Sequence, residues 1–198
     1  MSERDADLRD VERCLAGDRA AFGALVERWQ DRIYGAVLRM VRDPELARDL
    51  AQETFLRAFA NLASFRGGAA VGTWLYSIAV NQVRSEMRKR SARKHGAPVS
   101  LDALQGGGAD DSSRGGYEPA DAAPDAPARA ATREDCALLL AELHRLDDEH
   151  REVLVLREFQ DLAYDEIASV LDVPVGTVRS RLHRARAELR TRLEGRVL

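Results

Sequence analysis

An all-α fold, divided into two small helical domains by a long tether, is what this 198-residue sequence predicts, and three observations carry it. Before residue 95 and after residue 131, apolar residues recur at spacings of three and four, the period of one helix face. No alternating apolar–polar run competes with them. Between the two, residues 96–130 hold four of the six prolines and six of the fourteen glycines. Six acids there (Asp102, Asp110, Asp111, Glu118, Asp121, Asp125) face only Arg114 and Arg129. Such a segment buries too little apolar surface to offset its ordering entropy, which predicts a linker that is disordered when free. The expected division is a domain over 1–95, a linker over 96–130 and a second domain over 131–198.

In the first domain, Phe22, Leu25, Val26, Trp29, Ile33 and Val37 form one stripe on a long helix. Asp43-Pro44-Glu45 predicts the next helix start, with Asp as the cap, Pro at the first position and Glu facing the positive helix end. Ala47, Ala51, Phe55, Ala58 and Leu62 make that helix's inward face. A glycine-containing loop over 66–72 then leads into a helix, TWLYSIAVNQVRSEMRKR. In the second domain, Thr132 with Asp135 reads as a capping box before CALLLAELHRL. Asp147 or Asp148 caps HREVLVLREF, and residues 165–189 have helix-turn-helix spacing. Asp172 stands at the turn, where Asp tolerates the left-handed conformation better than most residues, and Pro174 suits the first position of the second helix.

Composition excludes several classes. Hydrophobic residues at 45% and charged residues at 32% are ordinary for a soluble globular chain. The N-terminus is acidic without an apolar run, so it is not a secretory signal, and no stretch approaches a membrane span; a cytoplasmic location is expected. Cys14 and Cys136 each fall in an amphipathic helix, the setting of a small buried hydrophobe rather than a disulfide or zinc framework. His95, His144, His150 and His183 have no metal-ligand spacing, and there is no phosphate-binding glycine loop or nucleophile elbow. No catalytic residue, metal, cofactor or small-molecule substrate is expected.

The net charge of −3 conceals two concentrations of positive charge. In the last helix Val178, Leu182, Ala185, Leu189 and Leu193 form the packing stripe, while the other faces carry Arg179, Arg181, Arg184, Arg186, Arg190 and Arg192 beside His183. A solubility face mixes signs; this one is almost purely positive, as suits guanine edges and phosphates in a major groove. Residues 84–94, RSEMRKRSARK, carry six basic groups against Glu86 alone. They continue a helix bearing Trp74, Tyr76 and Asn81, a composition that suits melted or single-stranded DNA. Trp74 is equally compatible with a core role. A third feature is the polar set Asp49, Gln52 and Glu53 around the off-stripe Leu56, as compatible with a docking face as with an ordinary exposed leucine.

RDLAQETFLRAFANLASFRG, TWLYSIAVNQVRSEMRKR and HREVLVLREFQDLAYDEIASVLDVPVGTVRSRLHRARAEL, in this order, resemble the extracytoplasmic-function (ECF) sigma factors of bacterial RNA polymerase. The resemblance implies a sigma-two-like domain, a linker and a sigma-four-like helix-turn-helix domain. It places Asp49, Gln52, Glu53 and Leu56 on the β′ clamp helices of core RNA polymerase, whose β subunit is a further partner. It places Phe65, Arg66, Trp74, Tyr76 and Asn81 where a flipped −10 base is captured, with Arg84, Arg88, Lys89 and Arg90 on the nearby phosphates. Arg179, Ser180, His183 and Arg184 then lie nearest the −35 bases, with Thr177, Arg181 and Arg186 as phosphate contacts or helix supports. The loop RGGAAVGT departs from the family, whose members commonly carry a more polar stretch with a bulky residue at position 71 or 72. An anti-sigma factor is a further implied partner, and family members often hide their DNA surfaces until core polymerase separates the domains.

A tether of 35 residues has a root-mean-square span of roughly 30–35 Å. The two promoter elements lie about 60 Å apart, at about 17 base pairs of roughly 3.4 Å each. Since the stretched tether reaches more than about 110 Å, it has to extend on binding without becoming taut. The alternative reading is a stand-alone helix-turn-helix regulator, which residues 131–198 alone would satisfy.

Overall fold

The computed structural model describes residues 2–94 and 126–195, and every regular element among them is helical. The first lobe is built from α1 (Glu3–Leu15), α2 (Ala20–Val41), α3 (Pro44–Ala60) and α4 (Val71–Lys94), with a 3-10 turn over Leu62–Ser64. The second contains α5 (Ala126–Leu143), α6 (Asp148–Leu154), α7 (Tyr164–Leu171) and α8 (Val175–Glu194). A π-helical turn, Val155–Phe159, directly continues α6.

The apolar stripes do what their spacing predicts. In α2, Phe22, Leu25, Trp29, Ile33 and Val37 are buried, and the helix packs on α1, α3 and α4. Ala47, Ala51, Phe55, Ala58 and Leu62 are all buried on the α3 side. The Asp43 carboxylate accepts a hydrogen bond from the Leu46 amide at 3.1 Å, so Asp43 caps α3 and Pro44 opens it, as the DPE triplet predicts. In α8, Val178, Leu182 and Ala185 are buried and Leu189 packs against them. Asp172 ends α7 at φ 55°, the left-handed turn of the helix-turn-helix.

Three local expectations shift. α5 begins at Ala126, upstream of the Thr132–Asp135 capping box and inside the span assigned to the linker. Pro127 suits a first helical turn, and the alanine-rich stretch after it has high helix propensity. The rest of the expected linker, 96–125, lies outside the described residues. Asp147 occupies the cap position of α6 without a side-chain hydrogen bond to it. Cys14 is buried as expected of a small hydrophobe, whereas Cys136 is exposed, since the inward face of α5 is supplied by residues such as Leu143.

Polar groups, rather than an apolar stripe alone, dock α1. Asp7 and Asp10 are buried, and the Arg28 guanidinium of α2 bridges them, donating to Asp7 and, at 2.9 Å, to Asp10. Trp29 Nε1 donates to the Asp7 carboxylate, 3.2 Å from each oxygen. Burial pushes the Asp7 carboxyl above the usual carboxylate range, against the opposing pull of these donors.

The two lobes pack on one another. Arg84 of α4 holds Glu152 of α6 through two bonds, Nε to Oε1 at 2.9 Å and Nη2 to Oε2 at 2.7 Å, and also donates to the Leu171 carbonyl at 3.3 Å. Tyr76 donates its hydroxyl to Gln160 Oε1 at 2.5 Å, and Thr73 to Glu166 Oε1 at 3.2 Å. The Arg39 guanidinium lies 4.5 Å from the Phe159 ring centroid.

The core prediction concerns Ile33, fully buried at the centre of the first lobe. Ile33→Ala is expected to lower unfolding free energy by about 2–5 kcal/mol, read from urea denaturation of the full chain.

Candidate nucleic-acid interface

α8 presents its packing stripe to the second lobe and leaves Arg179, Ser180, His183 and Arg184 exposed in consecutive turns. No ion pair engages Arg179 or Arg184 among the described residues, so both guanidinia are available to an anionic partner. Arg181 and Arg186 differ: Arg181 pairs with Glu149 of α6 at 2.7 Å, and Arg186 donates twice to Glu158 of the π-helical turn, at 2.9 and 2.6 Å. The carboxylate of Glu158 raises the Arg186 pKa above its ordinary value. These two arginines support the helix in this arrangement. Thr177 is half-buried, and its carbonyl accepts from the Ser180 hydroxyl at 3.0 Å.

The α4 set divides into two faces. Trp74, Asn81 and Arg88 lie seven residues apart, two turns each, and so share one side of the helix. Asn81 and Arg88 are exposed, and Trp74 is half-buried, with Phe65 of the preceding loop 5.2 Å away between ring centroids. Arg66 and Gly67 are exposed beside them. Lys89 is half-buried, while Arg90 spans Glu86 and Asp43, each at 3.4 Å. Tyr76 lies on the opposite side, whereas Arg84, one turn before Arg88, lines the cleft between the lobes together with it. Tyr76 is 2% exposed, its phenol pKa is pushed strongly upward by burial, and its hydroxyl serves the second lobe. The structure therefore packs Phe65 against Trp74, places Asn81 and Arg88 about two and four turns further along α4, and engages Tyr76 and Arg84 in the contact between lobes.

Asp49, Gln52 and Leu56 are exposed on α3, Leu56 at 60%; Glu53 pairs with Arg57 at 2.6 Å. Leu56 is joined by Phe59, 42% exposed, which the sequence reading missed. Its spacing of three from Leu56, on the same off-stripe side, was the available signal. The two flank a largely apolar groove of about 500 Å³ between α2 and α3, lined also by Phe22, Val26, Tyr34 and Gln52.

The loop before α4 is shaped by one contact. A Cβ on Gly72 would fall 2.1 Å from Trp29 Cη2, inside van der Waals distance. With Trp29 in this place, the position has no room for a side chain. Among the described residues, no group of histidines, cysteines and acids is placed to hold a metal ion, and no helix is long and apolar enough to cross a membrane.

Residues 25–93 match the family model for sigma-70 region 2, and residues 136–189 match that for sigma-70 region 4. A region 2 lobe joined to a region 4 lobe defines a transcription initiation factor of the sigma-70 class. The RNA polymerase sigma-H factor of Pseudomonas aeruginosa is 37% identical over 94% of this chain and 93% of its own length. The ECF RNA polymerase sigma-E factor of Haemophilus influenzae is 33% identical over 98% of each. Among solved structures, CnrH in complex with the cytosolic domain of CnrY aligns at a TM-score of 0.68 and 25% identity, covering 96% of this chain and 99% of that one. The Bartonella quintana sigma factor RpoE, solved with the anti-sigma factor NepR, shares the fold at a TM-score of 0.66 and 23% identity, covering 87% of this chain and 96% of that one. The chain belongs to the ECF sigma factors, which direct RNA polymerase to promoters.

Because Glu152 is buried against Arg84, Glu152→Ala leaves a charge without its partner at the junction of the lobes. The substitution is expected to raise the radius of gyration of the free protein in small-angle scattering while far-ultraviolet circular dichroism keeps its helical signal.

Proposed function

We propose that the α8 face of Arg179, Ser180, His183 and Arg184 reads the −35 element, and that the loop and α4 face of Phe65, Arg66, Trp74, Asn81 and Arg88 captures a −10 base. The observation that carries this reading is that one chain holds an arginine face and an aromatic–basic face on two separate lobes. A guanidinium free of internal partners hydrogen-bonds guanine edges without first giving up an ion pair. An exposed aromatic edge beside cations offers a stack and a phosphate partner to an unpaired base. The protein acts as a binding factor in the cytoplasm, where RNA polymerase works, with no catalytic activity of its own. Since residues 25–93 form a complete region 2 lobe, a stand-alone helix-turn-helix regulator is the weaker reading.

The α2–α3 groove, with Leu56 and Phe59 at its lip and Asp49 and Gln52 beside it, is the docking face for core polymerase. An anti-sigma factor, the partner named in the RpoE complex, competes for the same chain. Packing between the lobes holds Arg84 and Tyr76 away from DNA, so the free protein binds promoters weakly until core polymerase separates the lobes.

Run-off transcription with purified core polymerase on selected promoters tests the reading, and absence of any product would refute it. Arg179→Ala and Arg184→Ala are each expected to weaken −35-dependent binding of the holoenzyme by about 1–3 kcal/mol and to relax base preference there, with core affinity unchanged. Leu56→Glu should do the reverse, abolishing co-elution with core polymerase while the arginine face stays intact.

A further inference from the structure

The buried carboxylate of Asp7 lies outside the stretch matched to region 2, and no part of the promoter reading uses it. Burying a carboxylate is costly unless it is paired and hydrogen-bonded, and apolar residues would hold α1 against α2 at lower cost. What the carboxylate adds is direction. Its two oxygens accept from Trp29 Nε1 and from Arg28, so the indole is fixed in rotation as well as in depth. Arg32 covers the ring from another side, 4.9 Å from its centroid, and Tyr76 meets it edge-on at 6.1 Å and 85°.

The six-membered ring of that indole lies over Gly72. A Cβ there would stand 2.1, 2.6 and 2.8 Å from Cη2, Cζ3 and Cζ2, all in one aromatic ring that has no slack to give. Gly72 lies in the first turn of α4, immediately after the 66–70 loop and two residues before Trp74. The height of the indole therefore sets where the loop joins the helix and how far Trp74 stands from Phe65.

We infer that Asp7, acting through Trp29 on Gly72, is a positioning residue for the base-capturing loop, so that the acidic N-terminal helix tunes which −10 base is accepted. This rests on the −10 reading above and extends it to a helix that touches no DNA. Misplacing a positioned group by about 1 Å costs up to about a hundredfold in rate, so a small shift of the indole is enough to alter base choice.

The test uses the full chain bound to core polymerase on four promoter duplexes that differ only in the captured base, with permanganate reactivity of unpaired thymines as the readout. Gly72→Ala is expected to slow opening by about tenfold or more and to change the ranking of the four bases. Adding Trp29→Phe, which removes the ring edge the new methyl strikes, should restore the rate of opening but, because it also removes the N–H held by Asp7, not the wild-type ranking. Asp7→Leu should change the ranking, whereas Asp7→Asn, which keeps an acceptor for the indole N–H, should preserve it. Core affinity, measured in parallel, should be unchanged in all four. The inference is overturned if folded Asp7→Leu keeps the wild-type ranking, or if Trp29→Phe either leaves the opening rate of Gly72→Ala unchanged or returns the wild-type ranking without the Asp7–indole bond. The second comparison decides even if Asp7→Leu does not fold. If wild-type holoenzyme binds core but opens none of the four duplexes, the −10 reading itself falls, and this inference with it.

Discussion

The guanidinium of Arg84 is a polar link between the lobes, and their arrangement depends on it. In this structure it donates twice to Glu152 and once to the Leu171 carbonyl. A guanidinium already neutralised by a buried carboxylate contributes less to phosphate binding than an unpaired one, so the pair with Glu152 competes with any phosphate partner. The contact that joins the lobes therefore competes with the phosphate contact proposed for this residue. Tyr76 reinforces the choice, since its hydroxyl is bound to Gln160 from the other lobe.

The remaining surfaces are not subject to that competition. Arg179 and Arg184 stay exposed on α8 while Arg181 and Arg186 brace the helix against Glu149 and Glu158. The α2–α3 groove opens on a side of the first lobe made by Leu56 and Phe59, away from the residues that meet the second lobe. The groove is therefore uncovered even when the lobes are together, as the docking proposed for it requires.

Features that depend on near neighbours in the chain were legible in the sequence. Asp43 capping α3, Asp172 in the left-handed turn and the buried stripes of α2, α3 and α8 all follow from spacings within a few residues. The exposed arginines of α8 could be separated from its packing positions for the same reason. Features set by distant partners were not legible. Tyr76 looks like a base-stacking residue until Gln160 reaches it across 84 positions, and Arg84 looks like a phosphate clamp until Glu152 does so across 68. The docking of the N-terminal helix was not legible either, since its buried Asp7 and Asp10 are held by Arg28 and Trp29 of α2, eighteen or more positions away. Phe59 was a different case: its local signal was present, but the inward stripe of α3 drew attention away from its neighbours.

The π-helical turn at Val155–Phe159 carries a consequence for how this chain tolerates insertions and deletions. Such a turn accommodates one residue more than an α-helical turn does, so everything after it is rotated by roughly 100° relative to an uninterrupted helix. That rotation is what aims Phe159 at Arg39 and Gln160 at Tyr76. Deleting one residue from the turn would let the helix run on regularly and swing both side chains off their targets, and it would also disturb the second lobe's own core, since Val155 and Leu156 within the turn are fully buried.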